Sequence, residues 1–173
     1  MNKQRDNGVI RPETLGDHAA IHEVNRLAFG EEGEARLIAA LRDGGYVRVS
    51  LVAEEAGRVV GHILFSDLSI VTPQGVVEAL SLAPLAVVPD CQRQGIGSAL
   101  VREGLRACTE AGHRIVLVVG HPEFYPRFDF TAQSAERLLS PYAGPAFMAL
   151  ELAPGALEGV EGEVRYPPPF GDL

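Results

Sequence analysis

A chain of 173 residues, 46% of them hydrophobic and 22% charged, is long enough to bury a core, and we expect one globular domain over residues 1–173 that needs no metal or disulfide. A formal net charge of −8 argues against broad contact with nucleic acid, which requires clustered Lys and Arg, and favours a cationic partner. Cys91 and Cys108 are expected to be free thiols, and the polar residues 2–6 after Met1 predict neither a signal peptide nor a membrane span, so the cytoplasm is the expected location.

The first quarter of the chain predicts one strand followed by two amphipathic helices. The strand ends at a proline, and apolar residues then recur every three or four positions, which is the spacing of one buried helix face. Ile21, Val24 and Leu27 carry this spacing in the first helix. The predicted elements are the strand Val9–Pro12 and the helices Asp17–Phe29 and Glu34–Arg42.

Strand patterns replace the helical spacing after residue 50. A turn at residues 56–58 predicts a hairpin, and a second turn at residues 72–75 leads to a long strand. Pro84 lies inside that long strand and cannot donate a ladder hydrogen bond, so we expect a bulge or a local loss of pairing there. The predicted strands are Leu51–Glu54, Val59–Leu68 and Val76–Val88.

A glycine-containing loop over residues 89–97 leads from the long strand to a helix predicted at Ser98–Ala111. Ile115–Val119 is a continuous apolar run, typical of a strand buried on both faces, so we expect it in the sheet interior. A strand–helix–strand crossover requires one parallel pair, and the sheet of this α/β fold is therefore mixed. The remaining predictions are a loop or one helical turn at His121–Pro126 and strands at Phe147–Leu152 and Glu163–Tyr166.

The loop before Ser98 has the chemistry of an anion site. The first N–H groups of a helix have no partner within the helix and lie at the positive end of its dipole, which favours phosphate. Gly95 and Gly97 permit close approach of a ligand, and Arg93 can add a charge-assisted contact. A simple strand-to-helix turn is the alternative. A dinucleotide-binding motif would need glycine where Leu100 stands, and a Walker loop would need Gly-Lys-Ser or Gly-Lys-Thr, which the chain lacks.

The residues from Gln92 to Gly97 resemble the pyrophosphate motif Gln/Arg-x-x-Gly-x-Gly/Ala of the GNAT superfamily of N-acetyltransferases. The order of helices and strands is similar to that family over nearly the whole chain, and the C-terminal part resembles the YhbS-like predicted acetyltransferases. The resemblance implies a GNAT acyl-CoA N-acyltransferase fold, with a mixed, mostly antiparallel sheet, helices on both faces and a splayed central strand pair.

The resemblance also implies acetyl-CoA as co-substrate and no metal. Backbone amides of the motif loop would hold the pyrophosphate, and the strand that splays near Pro84 would pair with the peptide-like pantetheine arm. Core packing is the alternative role for the side chains of that strand. The implied pantetheine residues are Leu85, Ala86 and Val87. The implied pyrophosphate residues are Gln92, Arg93, Gln94, Gly95, Ile96, Gly97 and Ser98.

Tyr125 is the candidate catalytic residue. Its segment resembles the Tyr-x-x-x-Gly-Phe segment of the family, which implies that the hydroxyl lies by the coenzyme sulfur and can protonate the leaving thiolate. Asp129 stands at the glycine position, and aspartate tolerates a left-handed backbone better than most residues do. The alternative is that Tyr125, flanked by Phe124 and Phe128, belongs only to the core.

An aliphatic ammonium has a pKa of about 10, so transfer to an amine requires a route for its proton. Two residues are candidate bases. Glu78 is the carboxylate on the long strand nearest the expected acceptor channel, with a solvated surface side chain as its alternative role. His121 lies at the end of the strand Ile115–Val119, with a loop cap as its alternative role. The expected reaction is direct transfer of acetyl from acetyl-CoA to a primary amine in a ternary complex, and a non-catalytic acyl-CoA sensor or scaffold is the alternative. The sequence does not identify the acceptor and leaves a homodimer open. Specificity for the acceptor is expected in residues Phe29–Arg36 and Gln133–Pro145.

Overall fold

A computed structural model describes residues 8–172 of the chain, and residues 2–6, on which the expected absence of a signal peptide rests, lie outside this range. Within residues 8–172, no helix is both long and apolar enough to cross a membrane. The helices are α1 (His18–Phe29), α2 (Gly33–Asp43) and α3 (Ile96–Glu110). The strands are β1 (Val9–Pro12), β2 (Val47–Glu55), β3 (Arg58–Thr72), β4 (Gly75–Val87), β5 (Ile115–Val119), β6 (Leu138–Leu139), β7 (Phe147–Glu151) and β8 (Gly162–Arg165).

The predicted helices and strands are present, with ends that differ by a few residues. β2 starts at Val47 rather than at Leu51. The polar residues Arg48 and Ser50 interrupt the apolar pattern, so the sequence did not predict this earlier start. In the structure, Arg48 lies in β2 and its Nε donates to Asp67 Oδ1 of β3 at 2.7 Å. β6 was not predicted, because two residues are too short to carry a periodic pattern.

The strands form one mixed sheet in the order β1-β2-β3-β4-β5-β7. Neighbours along this path are antiparallel except β4 and β5, which pair in parallel on either side of the α3 crossover. β8 pairs with the far end of β3, and the short β6 pairs in parallel with β8. The predictions of a mixed, mostly antiparallel sheet and of an interior position for β5 are confirmed.

Helices cover both faces of the sheet, as expected. α3 packs on the face that carries Ile63 and Phe65. It can approach the sheet closely because Gly104 has no side chain, and a Cβ there would lie only 2.5 Å from the Phe65 ring. α1 and α2 bury their apolar sides on the opposite face, around Val52 and Leu64. Ile63 and Leu64 are consecutive, and successive strand residues point to opposite faces, so β3 anchors both layers.

β4 bulges at the predicted proline. Ile63 of β3 lies opposite Leu85 of β4, and Phe65 lies opposite Leu82, so two residues of β4 face one residue of β3 at this point. The parallel pairing of β4 with β5 also ends there, at Leu82 and Val118. The expected splay of the central strand pair is therefore confirmed.

His62 is buried on β3 beneath α1, within a polar cluster. Asn25 Nδ2 donates to the Ile21 carbonyl at 2.9 Å and lies 3.3 Å from His62 Nδ1. With Nδ1 as the acceptor, Nε2 carries the proton and donates to Ser50 Oγ at 2.9 Å. Burial, with a smaller contribution from the charge on Arg42, lowers the pKa of His62 to about 3, so the folded protein holds this imidazole neutral.

We expect this histidine to make stability depend on pH. An unfolded histidine takes up a proton below pH of about 6.5, whereas folded His62 does not until its pKa of about 3, so the free energy of unfolding falls as the pH falls between these values. The loss between pH 7 and pH 5 should be about 2 kcal/mol.

Urea unfolding of wild type and of His62→Gln at several pH values measures this effect, because the variant removes the titrating group. The hydrogen bond from Arg11 holds the pKa of Asp17 well below its usual range, so Asp17 also contributes to the free energy of unfolding. Its contribution is lost at pH values more acidic than the range between pH 5 and 7 in which His62 is tested. Identical pH dependence of the two proteins between pH 5 and 7 would contradict the prediction.

Candidate active site

The N-terminus of α3 can hold an anion. Gly95 precedes the helix with a φ of 88°, a left-handed conformation that favours glycine, and Arg93 also has a positive φ, of 60°. The helix begins its own hydrogen bonding at Ala99, whose N–H donates to the Gly95 carbonyl at 3.0 Å. The N–H groups of residues 96–98 therefore have no partner within the helix.

A pocket of about 440 Å³, here called the α3 pocket, lies at this helix end. Gln94 and Ile96 do not line it: Gln94 Nε2 donates to the Asp90 carbonyl at 3.4 Å, and the Ile96 side chain packs against the core. Any role of these two in ligand binding rests on their backbone N–H groups. The predicted pyrophosphate residues that line the pocket are Gln92, Arg93, Gly95, Gly97 and Ser98.

The end of β4 leads from the α3 pocket to a second cavity. Past the bulge, residues 85–87 pair with β3 on one side, and residues 83–87 pair with no strand of the described residues on the other. Leu85 lines the second cavity and Val87 lines the α3 pocket, while the Ala86 side chain is buried in the core. Gln92 Nε2 donates to the Val87 carbonyl at 2.9 Å, which leaves one lone pair of that oxygen for another donor.

The second cavity, here called the tyrosine cavity, has a volume of about 330 Å³. Four parts of the chain meet around it: the end of α1 with the start of α2, the end of β4, the segment after β5 and the C-terminal part of the chain. Both segments expected to carry acceptor specificity contribute to its wall. Residues that line it include Phe29, Glu34, Leu85, His121, Tyr125, Tyr142, Tyr166 and Phe170.

Tyr125 lines the tyrosine cavity with only 7% of its surface exposed. Its ring packs edge-on against Phe124 at 5.0 Å and Phe130 at 5.7 Å between centroids, whereas Phe128 contacts Phe124 instead. Gly120 makes room for the ring, because a Cβ there would overlap it. Burial raises the pKa of Tyr125 to about 12, so the hydroxyl is protonated at neutral pH.

The segment that carries Tyr125 touches both spaces. Phe124 lines the α3 pocket, while its neighbour Tyr125 lines the tyrosine cavity. A Cβ on Gly97 would lie 3.9 Å from Phe124 Cζ and 3.9 Å from Val87 Cγ2, so α3, β4 and this segment surround one groove. Asp129 ends the segment with a φ of 70°, and the expected left-handed aspartate is confirmed.

Residues 9–132 match the family of acetyltransferase (GNAT) domains. The chain belongs to the GNAT acetyltransferase family. This GNAT chain is 35% identical over 162 residues to YhbS of Escherichia coli strain K12, described as an uncharacterized N-acetyltransferase, covering 91% of the chain and 95% of YhbS.

Solved structures of GNAT proteins agree with the fold of this family member. The crystal structure of E. coli YhbS in complex with CoA matches with a TM-score of 0.90 and 32% identity, covering 99% of this chain and 96% of that one. A GNAT acetyltransferase from Brucella melitensis in complex with acetyl-CoA matches with a TM-score of 0.80 and 33% identity, covering 95% of this chain and 99% of that one.

The two candidate bases of this GNAT chain lie in different places. His121 lines the tyrosine cavity together with Tyr125. Glu78 does not line that cavity; it is exposed on β4 and lies in a separate pocket with His113 and Arg165. Glu78 is therefore not placed to act on an amine beside Tyr125, and the expectation that it lies near the acceptor is corrected.

Sequence reasoning did not single out two residues of this GNAT chain, Arg127 and Glu34, although Glu34 lies within the predicted acceptor segment Phe29–Arg36. Arg127 lines the α3 pocket, and its guanidinium lies 5.6 Å from the centre of the Phe124 ring. Its place two residues after Tyr125 could have suggested a ligand contact. Glu34 carries no such signal, because a glutamate in the first turn of a helix is common for reasons of helix stability alone. Within residues 8–172, no group of three or more His, Cys, Asp or Glu could hold a metal ion.

Proposed function

We propose that this protein transfers the acetyl group of acetyl-CoA to a primary amine by direct attack in a ternary complex. The observation that carries the proposal is the free edge of β4 at residues 83–87, which lies between the tyrosine cavity and the α3 pocket. A peptide-like pantetheine arm fits this edge, because its amides can pair with free backbone groups. The relatives support the ligand, since YhbS was solved with CoA and the Brucella protein with acetyl-CoA.

Each part of the coenzyme has a candidate partner. The backbone of residues 85–87 would pair with pantetheine, and N–H groups of residues 92–98 would hold the pyrophosphate at the end of α3. Arg93 and Arg127 line the same pocket and would add charge-assisted contacts to the phosphates. A backbone N–H on the freed part of β4 would stabilise the oxyanion that forms at the thioester carbonyl.

The proposed chemistry transfers one acetyl group and returns every protein side chain to its starting protonation state. The neutral amine attacks the thioester carbonyl carbon, a C–N bond forms and the C–S bond breaks. Tyr125 gives its hydroxyl proton to the departing thiolate. His121, which lines the same cavity, takes the surplus proton from the nitrogen and returns it to the tyrosinate through solvent. The products are an N-acetylated amine and CoA.

Acetyl-CoA at 100 times its Kd is expected to raise the free energy of unfolding by about 2.7 kcal/mol, because it binds the folded chain and not the unfolded one. NADH and ATP lack the pantetheine arm and are expected to leave the Tm unchanged. Differential scanning calorimetry with each ligand measures this, and equal stabilisation by NADH would count against the assignment of the β4 edge.

Turnover separates an enzyme from a non-catalytic acyl-CoA sensor or scaffold. Release of the CoA thiol is followed spectrophotometrically with a panel of primary amines, with Tyr125→Phe as the control. An enzyme releases the thiol in proportion to the amine consumed. Stabilisation by acetyl-CoA with no amine-dependent thiol release would instead support the sensor.

A further inference from the structure

Glu34 has a buried carboxylate oxygen without a hydrogen-bond partner among residues 8–172. The residue lies in the first turn of α2, and its side chain lines the tyrosine cavity. Its Oε2 atom is out of contact with solvent and has no hydrogen-bond donor within residues 8–172. A buried acceptor without a donor destabilises a fold, so a ligand that supplies the donor would offset the loss.

The helix dipole alone does not explain this placement. A carboxylate in the first turn interacts favourably with the positive end of a helix, but an exposed side chain does so without losing its water. Glu31 and Glu32 already stand just before α2, where Glu31 is exposed and Glu32 Oε2 lies 2.8 Å from His22 Nε2. Glu34 instead lines the same cavity as Tyr125.

The rest of the cavity wall suits the stem of an organic cation. Phe29, Tyr142, Tyr166 and Phe170 supply aromatic rings, and Tyr166 packs against Tyr142 at 5.3 Å and Phe170 at 5.2 Å between centroids. Such rings cover apolar groups and attract cations over their faces. None of the described residues that line the cavity is Lys or Arg, so a carboxylate on the acceptor would have no permanently cationic partner there.

We propose that Glu34 selects the acceptor by receiving an N–H hydrogen bond from its ammonium group on Oε2, while the aromatic rings cover the stem. This inference rests on the proposed function and names its substrate class. The acceptors are primary aliphatic amines that enter as cations and carry no carboxylate next to the nitrogen.

Binding as a cation precedes the chemistry. The net charge of −8 favours entry of the ammonium, which then loses one proton to solvent before its lone pair attacks the thioester. Overall, one ammonium and one acetyl-CoA give one amide, one CoA thiol and one released proton. Glu34 is therefore a specificity-determining residue that holds the acceptor, and His121 keeps its separate place in the proton route.

Calorimetric titration of phenethylamine into CoA-saturated protein measures whether Glu34 binds the ammonium group. It requires no turnover, so the role of Glu34 can be decided even if the protein proves inactive with acetyl-CoA. We expect Glu34→Gln to weaken phenethylamine binding by at least about tenfold, because a charge-assisted hydrogen bond becomes a neutral one. The alcohol 2-phenylethanol has the same shape without the charge, so Glu34→Gln should weaken its binding much less than that of phenethylamine. Glu31→Gln is the matched control, since it removes an exposed negative charge just before α2, outside the cavity, and should bind as wild type does.

Equal phenethylamine affinity in wild type and Glu34→Gln, or no binding to wild type, would overturn the proposal. If the Glu34→Gln variant does not fold, the ligand preference of the wild-type protein tests the proposal by itself. A preference of about tenfold or more for phenethylamine over both 2-phenylethanol and 3-phenylpropionate supports the proposal, and equal affinities overturn it. A capped peptide with one lysine, titrated in the same way, distinguishes a protein side chain from a free amine as the source of the ammonium.

Discussion

The Tyr125→Phe variant is expected to turn over at least about tenfold more slowly than wild type while binding acetyl-CoA normally. Phenylalanine keeps the ring against Phe124 and Phe130 and removes only the hydroxyl, the proposed proton donor to the departing thiolate. General-acid assistance is typically worth about 10² to 10⁴ in rate, and solvent can replace part of it. Steady-state kcat with an active amine measures the loss.

The control measurements separate chemistry from structure. The Tm and the Kd for acetyl-CoA should stay near wild type, because the aromatic packing survives. Burial raises the pKa of Tyr125 to about 12, so the hydroxyl stays protonated at pH values up to about 10. Over that pH range, we expect no fall in kcat from loss of its proton. An unchanged kcat in the variant would leave Tyr125 as a core aromatic residue without a chemical role.

The Gly97→Val variant is expected to lose about 100-fold in affinity for CoA while remaining folded. A Cβ on Gly97 meets no atom closer than 3.9 Å, so the chain tolerates it, but the added methyl groups would occupy the α3 pocket where the pyrophosphate is proposed to lie. Losing two charge-assisted hydrogen bonds of about 1.5 kcal/mol each corresponds to this factor. Isothermal titration with CoA measures it.

Gly16→Val is the matched control for the added side chain. A Cβ on Gly16 meets nothing closer than 3.8 Å, and the residue lies before α1, outside the α3 pocket. Its CoA affinity should equal that of wild type. A folded Gly97→Val protein with unchanged CoA affinity would contradict the assignment of the α3 pocket to the pyrophosphate.

The two glycines of the motif were predictable as a pair, but their separate roles were not. Both stand in a strand-to-helix loop, and both were expected to let a ligand approach. In the structure, Gly95 is needed for its φ of 88°, and a Cβ on it would meet open space. Gly97 has no such backbone requirement and borders the groove beside Phe124 and Val87. Backbone angles and neighbours at this scale depend on how α3 packs against β4, which a local pattern does not describe.

Glu78 and Glu34 illustrate the limit of reasoning from position along the chain. Glu78 was expected near the acceptor as the carboxylate on the long strand nearest the acceptor channel, yet it stands at the end of that strand away from residues 85–87. Glu34 comes from a helix about 90 residues before Tyr125 in the sequence and lines the same cavity. Sequence distance and spatial distance diverge here because the sheet order brings separate segments together.

The sequence by itself determined the features that depend on nearby residues. Helical spacing predicted α1, α2 and α3, and the glycine loop predicted a free helix end. Pro84 predicted the bulge, because a residue without an N–H cannot complete a ladder whatever lies beside it.

Only the tertiary structure decided the composition of the tyrosine cavity. Its wall combines Phe29 and Glu34 with Tyr125, Tyr142 and Phe170, residues from segments that have no local relation to one another. Periodicity reports which side of an element is buried, but the partner it is buried against depends on strand order and helix packing across the whole sheet. The proposed acceptor selectivity therefore depends on contacts between distant segments, whereas the proposed anion site at α3 follows from the chemistry of one short loop.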